Sequence, residues 1–260
     1  MLKGLVYFLV IVLANTVGAI SGMGGGVIIK PVLDFIAVDP VAAISFYSSV
    51  AVFVMSITST IRQIKGGISI SWNLVIWVAV GAILGGFLGN HTFDSFLMNF
   101  SDEGIVMLIQ IGLTVVTLLF ALFYNHLDLR KFYLNGKIWY LICGTILGFL
   151  ASLLGIGGGP INVSLLILMF GLPIKEATVY SICTIFFSQL AKFITMFFTS
   201  GFASFDLTML FYIIPAAIMG GFVGAKVSQA ISSKRVSQIF EAVILLVLVI
   251  NVYNGFRLFL

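Results

Sequence analysis

Twice along its length this chain interrupts an apolar run with the same glycine cluster. Ser21–Leu33 reads Ser-Gly-Met-Gly-Gly-Gly-Val-Ile-Ile-Lys-Pro-Val-Leu, and Leu154–Leu166 reads Leu-Gly-Ile-Gly-Gly-Gly-Pro-Ile-Asn-Val-Ser-Leu-Leu. Gly22, Gly24, Gly25 and Gly26 fall on Gly155, Gly157, Gly158 and Gly159. Glycine runs reach backbone conformations closed to other residues and make a regular helix costly. Each copy follows one apolar segment and opens a shorter one. The chain is therefore constrained to two related halves, each built around a broken apolar segment.

The rest of the sequence says which solvent surrounds those halves. Of 260 residues, 61% are hydrophobic and 8% charged. A soluble domain carries roughly 25% charged residues, so this chain has too few to cover a surface facing water. Apolar segments run over Gly4–Ile20, Val27–Val38, Val41–Ile61, Trp72–Asn90, Gly104–Tyr124, Ile138–Leu154, Ile161–Phe170, Ala177–Ser200, Leu207–Ala225 and Ile239–Phe256. A helix needs about 20 residues to cross the hydrocarbon core. The second and seventh segments fall short of that. The expected fold is an all-α polytopic membrane protein of eight to ten hydrophobic helices, with broken helices or half-deep hairpins at the glycine motifs. The basic and apolar start of the chain resembles a signal peptide, but the segments that follow favour a first membrane helix. Pro160 stands at a helix start, where its missing donor costs nothing. Pro31 stands deeper and is expected to kink or shorten its helix. Cys143 and Cys183 lie in apolar runs outside any metal or redox spacing and are expected to pack as small hydrophobes.

The repeat extends past the glycines. Ala43 to Gly67 matches Ala177 to Gly201 in length, and Gly85, Gly86 and Gly89 match Gly220, Gly221 and Gly224. Small residues so spaced let membrane helices approach closely. The chain thus divides into a first repeat, 1–124, a linker, 125–137, and a second repeat, 138–260. Arg62, Lys65, Arg130, Lys131, Lys137, Lys175, Lys226, Lys234 and Arg235 crowd one set of loops, whereas the loop His91–Glu103 is acidic. With the N-terminus outside, the basic loops fall in the cytoplasm, as the positive-inside rule requires. Lys3 and Arg257 dissent. The net charge of +4 thus orients loops and does not point to nucleic acid. The two halves then enter from opposite faces, the inverted-repeat arrangement.

Inversion brings the two breaks toward each other. Broken backbone inside a membrane is tolerated where protein buries it or where it lines a wet cavity, and paired breaks at matching positions point to a transporter's binding site. Each break precedes a helix whose first amides lack intrahelical acceptors, and those amides with the helix dipole favour an anion. Candidate ligands are Ser21, Gly22, Gly24, Gly25 and Gly26 at the first break and Gly155, Gly157, Gly158, Gly159 and Asn162 at the second. Lys30 is either beside the anion or a lysine reaching an interface and paired with Asp34. Lys192, with Gln189 nearby, lies well inside its segment and is expected to face the cavity. Asn15, Thr16, Ser45, Ser48, Ser49, Ser164, Tyr180, Ser181 and Thr184 are further polar residues near the breaks, each more often an interhelical hydrogen bond than a ligand.

The motif Gly-x-Gly-Gly-Gly in both halves, with a proline just after, resembles the sulfite exporter TauE/SafE family over nearly the whole chain. The resemblance implies export of sulfite or an organosulfonate across the cytoplasmic membrane, with alternating access between the halves. Lys30 departs from the apolar or small residue expected before the proline. Enzyme chemistry finds no support. His91 and His126 lie in loops, no intramembrane carboxylate pair or metal-ligand spacing appears, and Glu176 and Glu241 stand at segment starts. No cofactor or metal is expected, and the same absence argues against a proton relay. The partners expected are the bilayer and a small anion; self-association into a homo-oligomer is compatible with the composition. The membrane potential alone can drive export, since a departing monovalent anion gains about 2.3 kcal/mol per 100 mV. The alternative is a non-transporting scaffold, which predicts glycine runs sealed in apolar contacts.

Overall fold

The computed structural model describes residues 2–36, 39–66, 71–100, 102–126, 131–199 and 201–257. Val38, Gly67, Arg130 and Ser200, used above to mark segment ends, the repeat and the linker charge, lie outside them. The described chain forms ten α-helices: α1 (Leu2–Ser21), α2 (Gly26–Ile36), α3 (Val41–Lys65), α4 (Trp72–Asn99), α5 (Glu103–His126), α6 (Lys137–Leu153), α7 (Pro160–Phe170), α8 (Ile174–Phe198), α9 (Leu210–Ala230) and α10 (Ser233–Arg257). A 3₁₀ turn, Leu207–Met209, leads into α9. Seven of these helices are long and apolar enough to cross a membrane. α2 and α7, at 11 residues each, are not. The chain is a multi-pass, all-α membrane protein.

Glycines set the closest helix contacts. A methyl group at Gly81, Gly85 or Gly89 of α4 would collide with the carbonyl oxygens of Leu141, Thr145 and Phe149 in turn, so α4 and α6 run parallel at backbone contact. Gly220 and Gly224 of α9 meet Asn15 and Thr16 of α1 in the same way, and Gly86 and Gly221 meet α8 and α3. The second glycine pattern of the sequence is thus a packing device. Gly85→Val is expected to destabilise the protein by about 1–3 kcal/mol through overpacking against an unyielding backbone, read as an earlier thermal unfolding transition in detergent.

Between these pairs, α3 and α8 cross antiparallel. Phe46 meets Phe193 (6.3 Å), Phe53 stacks on Phe186 (5.2 Å), and Thr60 approaches Cys183 (4.0 Å). α1 and α2 form a hairpin whose open end returns to the start of the chain, where Lys3 pairs with Asp39 at 2.7 Å. α6 and α7 form its counterpart from the other end. Lys65, Lys137, Lys175, Lys226 and Lys234 stand at helix ends on one side of the molecule, and Asp39, Asp94 and Asp102 gather on the other. The two dissenting cations are absorbed at the acidic end, Lys3 by Asp39 and Arg257 by the carbonyl of Phe35 at 2.6 Å.

Three local expectations change. The acidic stretch after Asn90 is not a loop, because α4 continues to Asn99. No glycine or proline interrupts it, and Thr92, Ser95 and Asn99 bond back to carbonyls one turn earlier (2.9, 2.8 and 2.8 Å). His91 is therefore helical, and His126, also expected in a loop, is the last residue of α5. Glu241 lies two turns inside α10, which starts at Ser233. The expectation for Pro31 is not among them: it lies inside α2, which runs on to Ile36, and its carbonyl accepts from Asn254 Nδ2 at 2.8 Å. Pro160 opens α7, as expected.

Candidate functional site

The two glycine clusters open with the same turn and then diverge, Gly158 having φ of +146° where its counterpart Gly25 has no positive φ. Gly22 and Gly24 have φ of +77° and +76°, and their counterparts Gly155 and Gly157 have +65° and +68°. Residues with a Cβ rarely adopt that conformation. The Gly24 amide donates to the Gly18 carbonyl (3.3 Å), and the Gly157 amide donates to that of Ala151 (3.2 Å), six residues back in both cases. Gly25 O then accepts from the amides of Ile28 and Ile29, so the ladder of α2 starts there and the Gly25, Gly26 and Val27 amides stay outside it. Gly159 O accepts from the Asn162 amide at 3.0 Å and starts α7 likewise.

The turns meet inside the protein. A methyl group at Gly26 would strike the Ile156 carbonyl oxygen, and methyls at Gly24 and Gly158 would both press on Ile185 of α8. Gly25 abuts Asn15, and Gly157 lies against Val52 and the Gln189 carboxamide. The α3/α8 crossing therefore holds both turns near its centre. Around them polar atoms are buried without a hydrogen-bond partner among the described residues: Asn162 Nδ2 and Oδ1, Gln189 Oε1, Asn15 Oδ1, Ser48 Oγ and Ser152 Oγ. Buried polar groups are nearly always satisfied, so these atoms are open to water or to a polar solute.

Lys192 is 2% exposed and donates to Ser45 Oγ (2.8 Å) and Ser49 Oγ (2.9 Å), with the Phe93 ring centre 5.7 Å from its ammonium. It stands at a cavity of about 290 Å³ lined by Ser45, Phe46, Asn90, Phe93, Asp94 and Phe205, on the acidic side of the molecule. Burying an ammonium is costly unless its protons are met. Two neutral hydroxyls meet two of them and leave the positive charge uncompensated by direct contact.

Lys30 keeps the Asp34 pairing of one reading but not its position at an interface. It is 3% exposed and pairs with Asp34 at 2.8 Å, so it does not reach an interface. Its Cε also lies 3.6 Å from where a methyl at Gly155 would stand, and that methyl would strike Ser45, a hydrogen-bond partner of Lys192. Ser21 is the predicted site residue that the structure turns away, since its hydroxyl bonds to the Val17 carbonyl of its own helix at 2.8 Å. Gly22 faces α8, where Ser181 Oγ donates to its carbonyl at 2.5 Å. Asn90, Phe93 and Asp94 were missing from the sequence-based set. The signal was present: Asn90 and Asp94 stand four apart at the end of an unbroken apolar run, and Asn90 Nδ2 bonds Asp94 Oδ2 at 3.0 Å.

Residues 7–251 match the model of the sulfite exporter TauE/SafE family. The chain belongs to that family. YunE of Bacillus subtilis, described as a probable membrane transporter protein, is 27% identical over 265 residues, with 94% of this chain and 95% of the relative covered. MJ0441 of Methanocaldococcus jannaschii, also described as a probable membrane transporter protein, is 26% identical over 245 residues, with 89% of each chain covered. No solved structure matches the chain. This TauE/SafE member is thus a membrane transporter for a small substrate and not an enzyme.

Proposed function

We propose that this protein exports a small anion of the sulfite or organosulfonate class across the cytoplasmic membrane. The carrying observation is the meeting of two glycine turns of related geometry, with amides outside the helix ladders, beside the buried ammonium of Lys192. Helix N-termini and fixed cations recognise oxyanions without requiring the protein to reorganise. The family's description supports the sulfur oxyanion class. A scaffold whose glycines serve packing alone has no use for a charged cavity of about 290 Å³ beside them.

The anion is held by the Gly24–Gly26 and Gly157–Gly159 turns, Asn162, Gln189 and Lys192, near the middle of the antiparallel α3/α8 pair. That antiparallel crossing, with α4 on α6 matched by α9 on α1, supports two halves inserted in opposite senses. The lysines at one end support a cytoplasmic position for that end, and in that orientation the Lys192 cavity opens outward. Alternating access then moves one half against the other around a fixed site. Purified protein in proteoliposomes is expected to move at least one of sulfite, sulfoacetate and the zwitterionic sulfonate taurine. Flux of none of the three, from protein that folds normally, removes the substrate assignment.

A further inference from the structure

A buried carboxylate stands one turn beyond Lys30 in α2. Asp34 is 8% exposed, with Oδ2 bonded to the Lys30 ammonium and Oδ1 without a hydrogen-bond partner among the described residues. α1, α3 and α10 pack around α2, and their charged and titratable groups are otherwise engaged. Tyr7 and Lys3 of α1 both bond Asp39. Tyr47 of α3 donates to the Asp206 carbonyl at 3.2 Å. Tyr253 and Arg257 of α10 lie at Phe35, one by ring contact and one by hydrogen bond. Beyond them, Lys192 of α8 is held by Ser45 and Ser49, and Asp94 of α4 lines the cavity with it. Lys30 is thus the one cation bonded to Asp34 among the described residues.

Lys30 also borders the second glycine turn through Gly155. An anion seated there competes with Asp34 for the same ammonium. If Lys30 turns to the anion, Asp34 is left as an isolated charge in a dry interior, and such a group neutralises rather than stay ionised. We infer that Asp34 is the proton-binding site of this transporter: the incoming anion takes Lys30 from Asp34, and Asp34 takes a proton from water in its place. This rests on the anion site proposed above and deepens it. The loaded carrier then holds one anion and one proton, and the empty carrier holds the internal ion pair. A monovalent anion crosses without net charge, so the membrane potential gives it no drive.

Two measurements test the inference, and the first needs no substrate. Lys30→Met leaves Asp34 without its cation. Infrared spectra of the lipid-reconstituted protein at neutral pH are expected to show the carbonyl stretch of a protonated carboxylic acid, lacking in the wild type and lost again in Lys30→Met/Asp34→Asn. If Lys30→Met lacks that band, Asp34 keeps its charge alone and the inference is overturned. The second measurement uses wild-type proteoliposomes at clamped zero voltage, with sulfoacetate as the probe and a trapped pH indicator inside. One proton is expected to accompany each anion, and in whatever flux Asp34→Asn retains, that ratio falls to zero. Wild-type anion flux without proton movement also overturns it. Absence of flux for sulfoacetate, sulfite and taurine alike instead sinks the anion-transport reading, while the infrared result still decides whether Asp34 binds a proton.

Discussion

Replacing Lys192 with methionine is expected to weaken anion binding by roughly 30- to 100-fold, the equivalent of about 2–3 kcal/mol for a lost charge-assisted hydrogen bond in a dry site. The side chain is 2% exposed and bonded to two serine hydroxyls at the cavity. Methionine fills a similar volume and removes a buried charge, a change that folded proteins often accept without loss of stability. The defect should therefore appear in binding and flux with little change in thermal unfolding. Arginine should not restore binding. Its planar fork suits carboxylates and phosphates bidentately, whereas Ser45 and Ser49 cradle a compact point charge. Titration calorimetry with sulfite on detergent-solubilised protein measures the effect. Unchanged affinity in Lys192→Met takes this residue out of the site.

Gly26→Ala is expected to abolish binding and lower stability together. The added methyl strikes the Ile156 carbonyl oxygen and stands 2.6 Å from its carbon and 3.0 Å from Ser48 Oγ. Both turns are backbone at that contact, so no side chain can rotate aside and the turns must separate. Overpacking of this kind costs about 1–3 kcal/mol. It also pulls apart the two sets of amides that the site depends on. Gly112→Ala is the matched control: it lies in α5 with nothing within 4 Å of the added group, and it should leave unfolding and flux as they are. A Gly26→Ala protein that binds sulfite like the wild type would show that the turns need not touch.

Several elements were legible because they follow from local physics. Pro160 could only open a helix, and it does. Low charge and long apolar runs allowed no soluble fold, and the structure has seven helices of spanning length. The glycine pairs Gly85/Gly89 and Gly220/Gly224 were readable as contact surfaces because little besides a small residue lets two helix backbones touch. Other features were hidden because they depend on partners distant in sequence. Ser45 and Ser49 were two of many hydroxyls until α8 brought Lys192 against them from 147 and 143 residues away. Asp34 read only as the partner of a Lys30 near an interface until α1, α3 and α10 enclosed α2 and buried the pair. The end of α4 was misread because polar composition resembles a loop, whereas side-chain bonds to carbonyls one turn back keep it helical.

The sequence by itself determined the solvent and the positions where its helices must break. Those follow from hydrophobicity and from the conformations open to glycine, which every copy of the motif carries with it. Only the tertiary structure decided that the two breaks touch, that Lys192 meets two serines while Lys30 meets a carboxylate, and that a cavity reaches the first of these from the acidic side. Side-chain pairing across helices depends on rotation and depth, and neither is encoded in the spacing of residues along a single segment.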